Sequence, residues 1–256
     1  MRAKKSLGQN FLHDEGVIHN IVKIINPQPI DQLIEIGPGH GAITEFLQAS
    51  GAQLQLIELD QDLIPILKQK FDRFDNVTLH HKDALKLELD ASNGPYKVVG
   101  NLPYNISSPL LISMLYQSAQ VEQMIFMLQK EVVQRICAEP GTKLFGRLSV
   151  MLQHRFDCVG HLTIPPEAFN PRPKIDSQII QLVTKQNPTK VDLPVLEKLV
   201  KQSFAMRRKT IRNNLKKVVS IEQLEAAGVD PSQRAETITL NQFEQLALAV
   251  QNAAAP

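Results

Sequence analysis

Gln32-Leu33-Ile34-Glu35-Ile36 runs without a break into Gly37-Pro38-Gly39-His40-Gly41 and then into a helical stretch from Ala42 to Ser50. A strand, a glycine turn and a helix in that order are the strongest constraint on this fold. The glycines let backbone approach a ligand with no Cβ in the way, and a following helix offers unpaired N–H groups. The alternation continues. Gln53 to Ile57 is a strand pattern ending in Glu58, and Asn76 to His81 is another, followed by Lys82-Asp83-Ala84. The apolar run Lys97-Val98-Val99-Gly100 stops at Asn101. Alternating strands and helices to about Leu89 are the signature of a parallel sheet, which binds its ligands at the carboxyl ends of its strands. The glycine turn, Glu58, Asp83 and Asn101 each stand at such an end.

Each position has a chemistry to match. Gly37, Gly39 and Ala42 satisfy a dinucleotide fingerprint with Ala in its last place, so the turn alone leaves a nicotinamide dinucleotide open. Glu58 lies about 20 residues past the first glycine, where an acid can bind ribose hydroxyls. Asp83 can accept a hydrogen bond from the amino group of a bound adenine. Asn101-Leu102-Pro103-Tyr104 is a rigid ledge. Its proline has no N–H and a fixed φ, which holds the preceding carbonyls out of a sheet ladder. An exocyclic amino group needs two acceptors, and a base taken out of its stack needs an aromatic face. The ledge therefore reads as a pocket for the amino group of adenine.

These motifs, in this order, resemble the S-adenosylmethionine-dependent small-subunit ribosomal RNA adenine-N6 dimethyltransferases. The resemblance covers nearly the whole chain: Ser6 to Leu12, Glu35 to Gly41, Asn101 to Tyr104, Phe169 to Ser177, and Arg207 to Asn213. It implies an α/β fold, a Rossmann-like class I methyltransferase with a seven-stranded sheet, an antiparallel final hairpin and a small all-helical C-terminal domain. The implied cofactor is S-adenosyl-L-methionine, held by Asn10, Leu12, Gly37, Gly39, Glu58, Asp83 and Asn101. Leu12 would act through its backbone, leaving its side chain tolerant of change. The catalytic set would be Asn101 and Leu102 as acceptors for both N6 hydrogens, Tyr104 stacked on the flipped base, and Phe169 closing on its other face. The implied reaction is dimethylation of two adjacent adenosines in the hairpin loop near the 3′ end of 16S ribosomal RNA, within the small subunit or its precursor, as part of subunit biogenesis. Three other readings stand beside it. An antibiotic-resistance methyltransferase acting on 23S ribosomal RNA shares the pocket motif. A ribosome-assembly factor would act mainly by binding. A nicotinamide-dependent oxidoreductase leaves the Asn101 ledge unexplained.

Net charge is only +2, so distribution matters more than the total. Lys201, Arg207, Arg208, Lys209, Arg212, Lys216 and Lys217 are clustered with no acid among them, and Arg2, Lys4 and Lys5 open the chain in the same way. Clustered cations suit phosphate binding through counterion release. Arg2, Lys4, Lys5, Arg207, Arg208, Lys209 and Arg212 are thus the candidate RNA contacts. Cys137 and Cys158 have no metal-ligand spacing, and His80-His81 points to opposite faces of a strand, so no metal is expected. No apolar run is long enough to span a membrane and no signal peptide is evident, which points to a cytoplasmic protein with reduced thiols. A monomer is expected. With 43% apolar residues the chain can bury a large core. The expected division is 1–186 for cofactor binding and catalysis and 187–256 for a helical RNA-binding domain, joined at Lys185-Gln186-Asn187-Pro188-Thr189. Helices are expected over Glu15–Ile25 (capped by Asp14), Pro109–Gln117, Lys130–Ala138, Pro194–Phe204, Thr210–Lys217, Ile221–Ala227 and Asn241–Gln251. Leu148–Cys158 and Ser177–Thr184 read as further strands.

Overall fold

The computed structural model describes Lys4 and residues 7–254. In chain order the elements are β1 (Phe11–Leu12), α1 (Glu15–Ile25), β2 (Gln32–Ile36), α2 (Thr44–Ala49), β3 (Gln53–Glu58), α3 (Ile64–Phe71), β4 (Val77–His81), β5 (Tyr96–Asn101), α4 (Ser107–Tyr116) and β6 (Val121–Gln129). Then come α5 (Lys130–Ile136), α6 (Arg147–Arg155), β7 (Phe156–Ile164), β8 (Phe169–Asn170), β9 (Ser177–Thr184), α7 (Leu193–Ser203), α8 (Ile211–Leu215), α9 (Ile221–Ala226) and α10 (Leu240–Ala254).

Seven strands form one sheet in the order β4-β3-β2-β5-β6-β9-β7. The pairs β4-β3, β3-β2, β2-β5 and β5-β6 are parallel, and β9 runs antiparallel to β6. The inner strands are apolar at successive positions. Leu33, Ile34, Leu54, Leu56, Ile57, Val98 and Val99 are all buried, as expected of strands covered on both faces. At Gly100 the sheet closes so tightly that a Cβ would lie 2.4 Å from the carbonyl oxygen of Ile36. Helix α1 starts where the Asp14 side chain accepts the Val17 N–H and ends at Asn26 in the left-handed region, and it buries Ile18, Ile21 and Ile25. The separate pair β1-β8 joins the start of the chain to the Phe169 segment, Leu12 opposite Phe169 and Phe11 opposite Asn170.

The chain divides into two compact units, Met1–Val133 with Val159–Thr184, and Gln134–Cys158 with Lys185–Pro256. The expected boundary after residue 186 falls two residues past the observed one, after Thr184. Residues 134–158, expected in the first part, cluster instead with the C-terminal helices. The same segment holds the clearest secondary-structure correction. Leu148–Cys158 is not a strand: Arg147–Arg155 is helical, and β7 starts only at Phe156. Ser149, Val150, Met151, Leu152 and His154 are all buried, so this helix lacks the polar stripe that would have shown its period. Strand β6, which no expectation covered, was hidden for a similar reason: Met124 to Leu128 form one unbroken apolar run. In the helical unit the half-buried Phe204 ring lies 6.4 Å from that of Phe145 and 5.8 Å from that of Phe243, the latter stacked.

Candidate functional site

Strand order converts the sequence series into a spatial one. Asp83 follows β4, Glu58 ends β3, the glycine turn follows β2 and Asn101 ends β5, all at one edge of four adjacent parallel strands. With neighbours about 4.8 Å apart, the row from Asp83 to Asn101 spans roughly 14 Å.

In the middle of that row Gly37 and Gly39 have φ of 67° and 60°, a left-handed backbone that a side chain disfavours. In front of Gly37 the space is open, since a Cβ built there would find only the Asn101 carbonyl oxygen, at 3.8 Å. Gly39 sits under the Phe11 ring, 3.1 Å from where its Cβ would be. Its N–H reaches Oε2 of Glu58 at 3.4 Å, while Oε1 of Glu58 accepts the Asp60 N–H at 2.8 Å. Burial raises the Glu58 carboxyl above the ordinary glutamate range, against the opposing pull of these N–H groups. Asp83 caps a turn of 3₁₀ helix by accepting the Leu85 N–H at 2.9 Å through Oδ1. Leu59 and Leu85, each the neighbour or near neighbour of one of these acids, are 51% and 38% exposed. Sequence reasoning missed both. Their signal was an apolar residue just beyond a strand-end acid, where solvent would otherwise favour a polar one.

Behind the turn Glu35 is buried and accepts the Thr44 hydroxyl at 2.7 Å. Burial, with the Glu58 charge as a lesser cause, pushes its carboxyl up to about 7.

At the Asn101 end, Nδ2 donates to the backbone carbonyl of Asn10 at 2.9 Å. A carbonyl can only accept, so the amide must present its NH₂ there, and Oδ1 remains an acceptor. Leu102 is buried with its N–H bonded to the Met127 carbonyl, and its own carbonyl takes no backbone bond among the described residues. Tyr104 is half-buried, and its carbonyl accepts the Ser107 hydroxyl at 3.1 Å. Two acceptors and one partly exposed ring therefore stand on adjoining residues of the ledge.

Two expectations are corrected. Phe169 is 2% exposed and lies in the apolar core with Leu12, so its ring is not available to a base in this conformation. Its pairing with β1 buries it. The Leu12 side chain belongs to the same core, so a polar or small replacement there would not be tolerated as expected. Asn10 takes part through its carbonyl, while its side chain donates to the Gly8 carbonyl at 3.2 Å.

The candidate RNA contacts divide. Arg2 and Lys5 lie outside the described residues. Lys4 is paired within the protein although its side chain is 37% exposed, its Nζ lying 2.5 Å from Asp60 and 2.6 Å from Asp62. Within the helical unit Arg208, Lys209 and Arg212 are exposed, whereas Arg207 donates to the Lys143 carbonyl at 3.0 Å. Arg212 and Lys216 line an open cleft of about 520 Å³ with Thr210, Asn213 and Asp230. Among the described residues no group of three or more His, Cys, Asp or Glu is placed to hold a metal ion, and no helix is long and apolar enough to cross a membrane.

Comparison with known proteins places the chain in a family. The family model described as "Ribosomal RNA adenine dimethylase" matches residues 1–252. The chain is 50% identical over 252 residues to the "Ribosomal RNA small subunit methyltransferase A" of Pseudomonas fluorescens strain Pf-5, covering 96% of this chain and 93% of that protein. It is 46% identical over 251 residues to the protein of the same description from Marinobacter nauticus, covering 96% and 91%. Among solved structures, a dimethyladenosine transferase from Plasmodium falciparum has the same fold, with a TM-score of 0.84 at 22% identity over 94% of this chain and 98% of that one. The 23S rRNA methyltransferase ErmE matches with a TM-score of 0.76 at 25% identity, over 94% of this chain and all of its own.

Proposed function

The chain belongs to the ribosomal RNA adenine dimethylase family, and we propose that the Asn101 ledge is where it dimethylates N6 of two adjacent adenosines near the 3′ end of 16S ribosomal RNA. The observation that carries this reading is the Asn101–Asn10 hydrogen bond, because it fixes which end of the amide faces the arm and leaves Oδ1 as an acceptor on the other side. An adenine N6 carries two hydrogens, and Oδ1 of Asn101 and the Leu102 carbonyl are two acceptors on adjoining residues.

The residues on the cofactor side fit S-adenosyl-L-methionine. Glu58 supplies a carboxylate for two ribose hydroxyls, Asp83 an acceptor for the adenine amino group, and Leu59 and Leu85 apolar surface for its ring. Gly37, whose face is open, would leave room for the methionine end of the cofactor. When bound, the cofactor brings a methyl group already activated on a sulfonium. The protein's own task is then alignment and exclusion of water. Holding both N6 hydrogens favours a pyramidal nitrogen whose lone pair points away from the two acceptors. The same oxygens oppose the positive charge that develops on N6 as the bond to carbon forms, an effect larger in a dry site than in water. Asn101 cannot take a proton, so the N6 proton leaves after attack, to solvent. Tyr104 stacks on one face of the extruded base.

The small-subunit target follows the relatives at about half identity, and the 23S-directed ErmE stands further away. The test is transfer of labelled methyl from S-adenosylmethionine to unmethylated small and large subunits, with the product nucleoside identified by mass spectrometry. Dimethyladenosine confined to small-subunit RNA is the expected result. Label in the large subunit, or monomethyl product alone, counts against it.

A further inference from the structure

We propose that Asp60 is a positioning residue for this reaction, which docks the N-terminal arm through Lys4 and Gln9 and so sets the Asn101 amide. The inference rests on the reading of Asn101 given above. The Asp60 side chain is 2% exposed, and both of its oxygens are used. Oδ1 accepts Lys4 Nζ at 2.5 Å and the Asp62 N–H at 3.0 Å, and Oδ2 accepts Gln9 Nε2 at 2.7 Å. Gln9 Oε1 in turn accepts the Lys4 N–H at 2.8 Å, which closes a ring of three residues. The next residue after Gln9 is Asn10, whose carbonyl holds the Asn101 amide.

Asp60 also faces the other way. Its own N–H holds Oε1 of Glu58, so one residue ties the ribose-side carboxylate to the arm that orients the acceptor. Burial works against the Asp60 charge, but Lys4 and Gln9 outweigh it and hold the carboxyl below the ordinary aspartate range. Hydrogen bonds to ionised groups are roughly twice as strong as neutral ones, and a buried charge stripped of its partner is strongly unfavourable. Beyond the clasp, the arm near Asn101 is held by the two-residue pairing of β1 with β8, the His13 bond to the Ala168 carbonyl, the packing of Gly8 on Pro103, the Phe11 ring over Gly39 and against His40, and Leu12 in the core. Asp60 touches neither reactant. It acts through the arm.

This assignment opposes the one made from charge alone, in which Lys4 grips RNA, and the two differ in sign. Full-length wild type, Asp60→Asn, Lys4→Met, Lys4→Arg and Gln9→Ala would be compared in three measurements. These are kcat on unmethylated small subunits, RNA affinity by filter binding, and amide hydrogen exchange over residues 7–12. Wild-type transfer on the same particles comes first, so that a loss confined to the variants bears on the clasp, whereas a silent wild type bears on the methyltransferase reading. The exchange measurement tests the clasp without activity. The expected result is a loss of about tenfold or more in kcat for Asp60→Asn and Lys4→Met, with RNA affinity unchanged, faster exchange across the arm, and recovery of most activity in Lys4→Arg. Gln9→Ala, which leaves the Lys4–Asp60 ion pair intact, is expected to show the same pattern more weakly. The proposal is overturned if Asp60→Asn keeps wild-type kcat and arm exchange, or if that variant, in which Lys4 keeps only Asp62 as a charged partner, tightens RNA binding while Lys4→Met weakens it.

Discussion

At the scale of single residues, the site depends on which end of an amide faces which partner. Replacing Asn101 by Ala removes one preorganised acceptor and is expected to lower kcat by about 10²–10³-fold, with cofactor affinity measured by calorimetry largely kept. Asn101→Asp is the sharper variant. A carboxylate has no N–H for the Asn10 carbonyl, so it gains an acceptor and loses the bond that held it; kcat is expected to fall as far as in the Ala variant. Near-normal turnover in either would remove Asn101 from the mechanism. Glu35 offers a pH-dependent test of the loop behind it. Its carboxyl is raised from 4.5 to about 7 by burial, so the native state binds the proton more tightly than the unfolded chain. The stabilising effect of that proton is complete below about pH 4.5 and is lost as pH rises through about 7, a span of about 3 kcal/mol. Glu35→Gln carries no such charge. Its melting temperature relative to wild type is therefore expected to rise between pH 5 and pH 8, and a constant difference would show that Glu35 does not titrate there.

At the scale of elements, the strands that end in chemistry were readable and the pairings that bury side chains were not. Gln32–Ile36 and Gln53–Glu58 announce themselves because a polar or glycine boundary follows each apolar run. The row Asp83, Glu58, Gly37, Asn101 could be read because parallel strands place their ends at one edge. Phe169 was misplaced because its burial comes from β1, a two-residue strand some 160 positions away in sequence that no periodicity can signal. Asp60 was overlooked for a related reason. Two residues after Glu58 it looks like an ordinary loop acid, and only the folded arm brings Lys4 and Gln9 to it. Gly100 shows how closely the elements constrain the site. A Cβ there would meet the Ile36 carbonyl oxygen at 2.4 Å, and both partners are backbone, so neither can turn aside. Gly100→Ala must pry β5 from β2, which carry Asn101 and Gly37. The expected cost is about 1–3 kcal/mol of stability, seen as a lowered unfolding midpoint, together with weaker cofactor binding. A variant as stable as wild type would mean that the two strands can yield.

At the scale of the whole molecule, a net charge of +2 gives little long-range attraction to RNA, so affinity must come from local clustering. The helical unit is the proposed source. Between Lys201 and Lys217 the chain has seven cations and no acid, and the fold leaves Arg208, Lys209 and Arg212 exposed on that unit. Arg207 is partly committed to the Lys143 carbonyl, with Glu236 3.9 Å away, so it is the weaker candidate of the four. Each phosphate contact on single-stranded RNA contributes about 0.7 to the slope of log K against log salt. Changing Arg208, Lys209 and Arg212 together to Gln is therefore expected to flatten that slope by about 2 if all three meet phosphate. Cofactor binding, which the proposed site assigns to the other unit, should stay at the wild-type value. Titrations of small-subunit RNA at several salt concentrations would decide it. A parallel line at lower affinity would mean that these side chains contribute without releasing counterions, and an unchanged line would take the RNA surface away from this cluster.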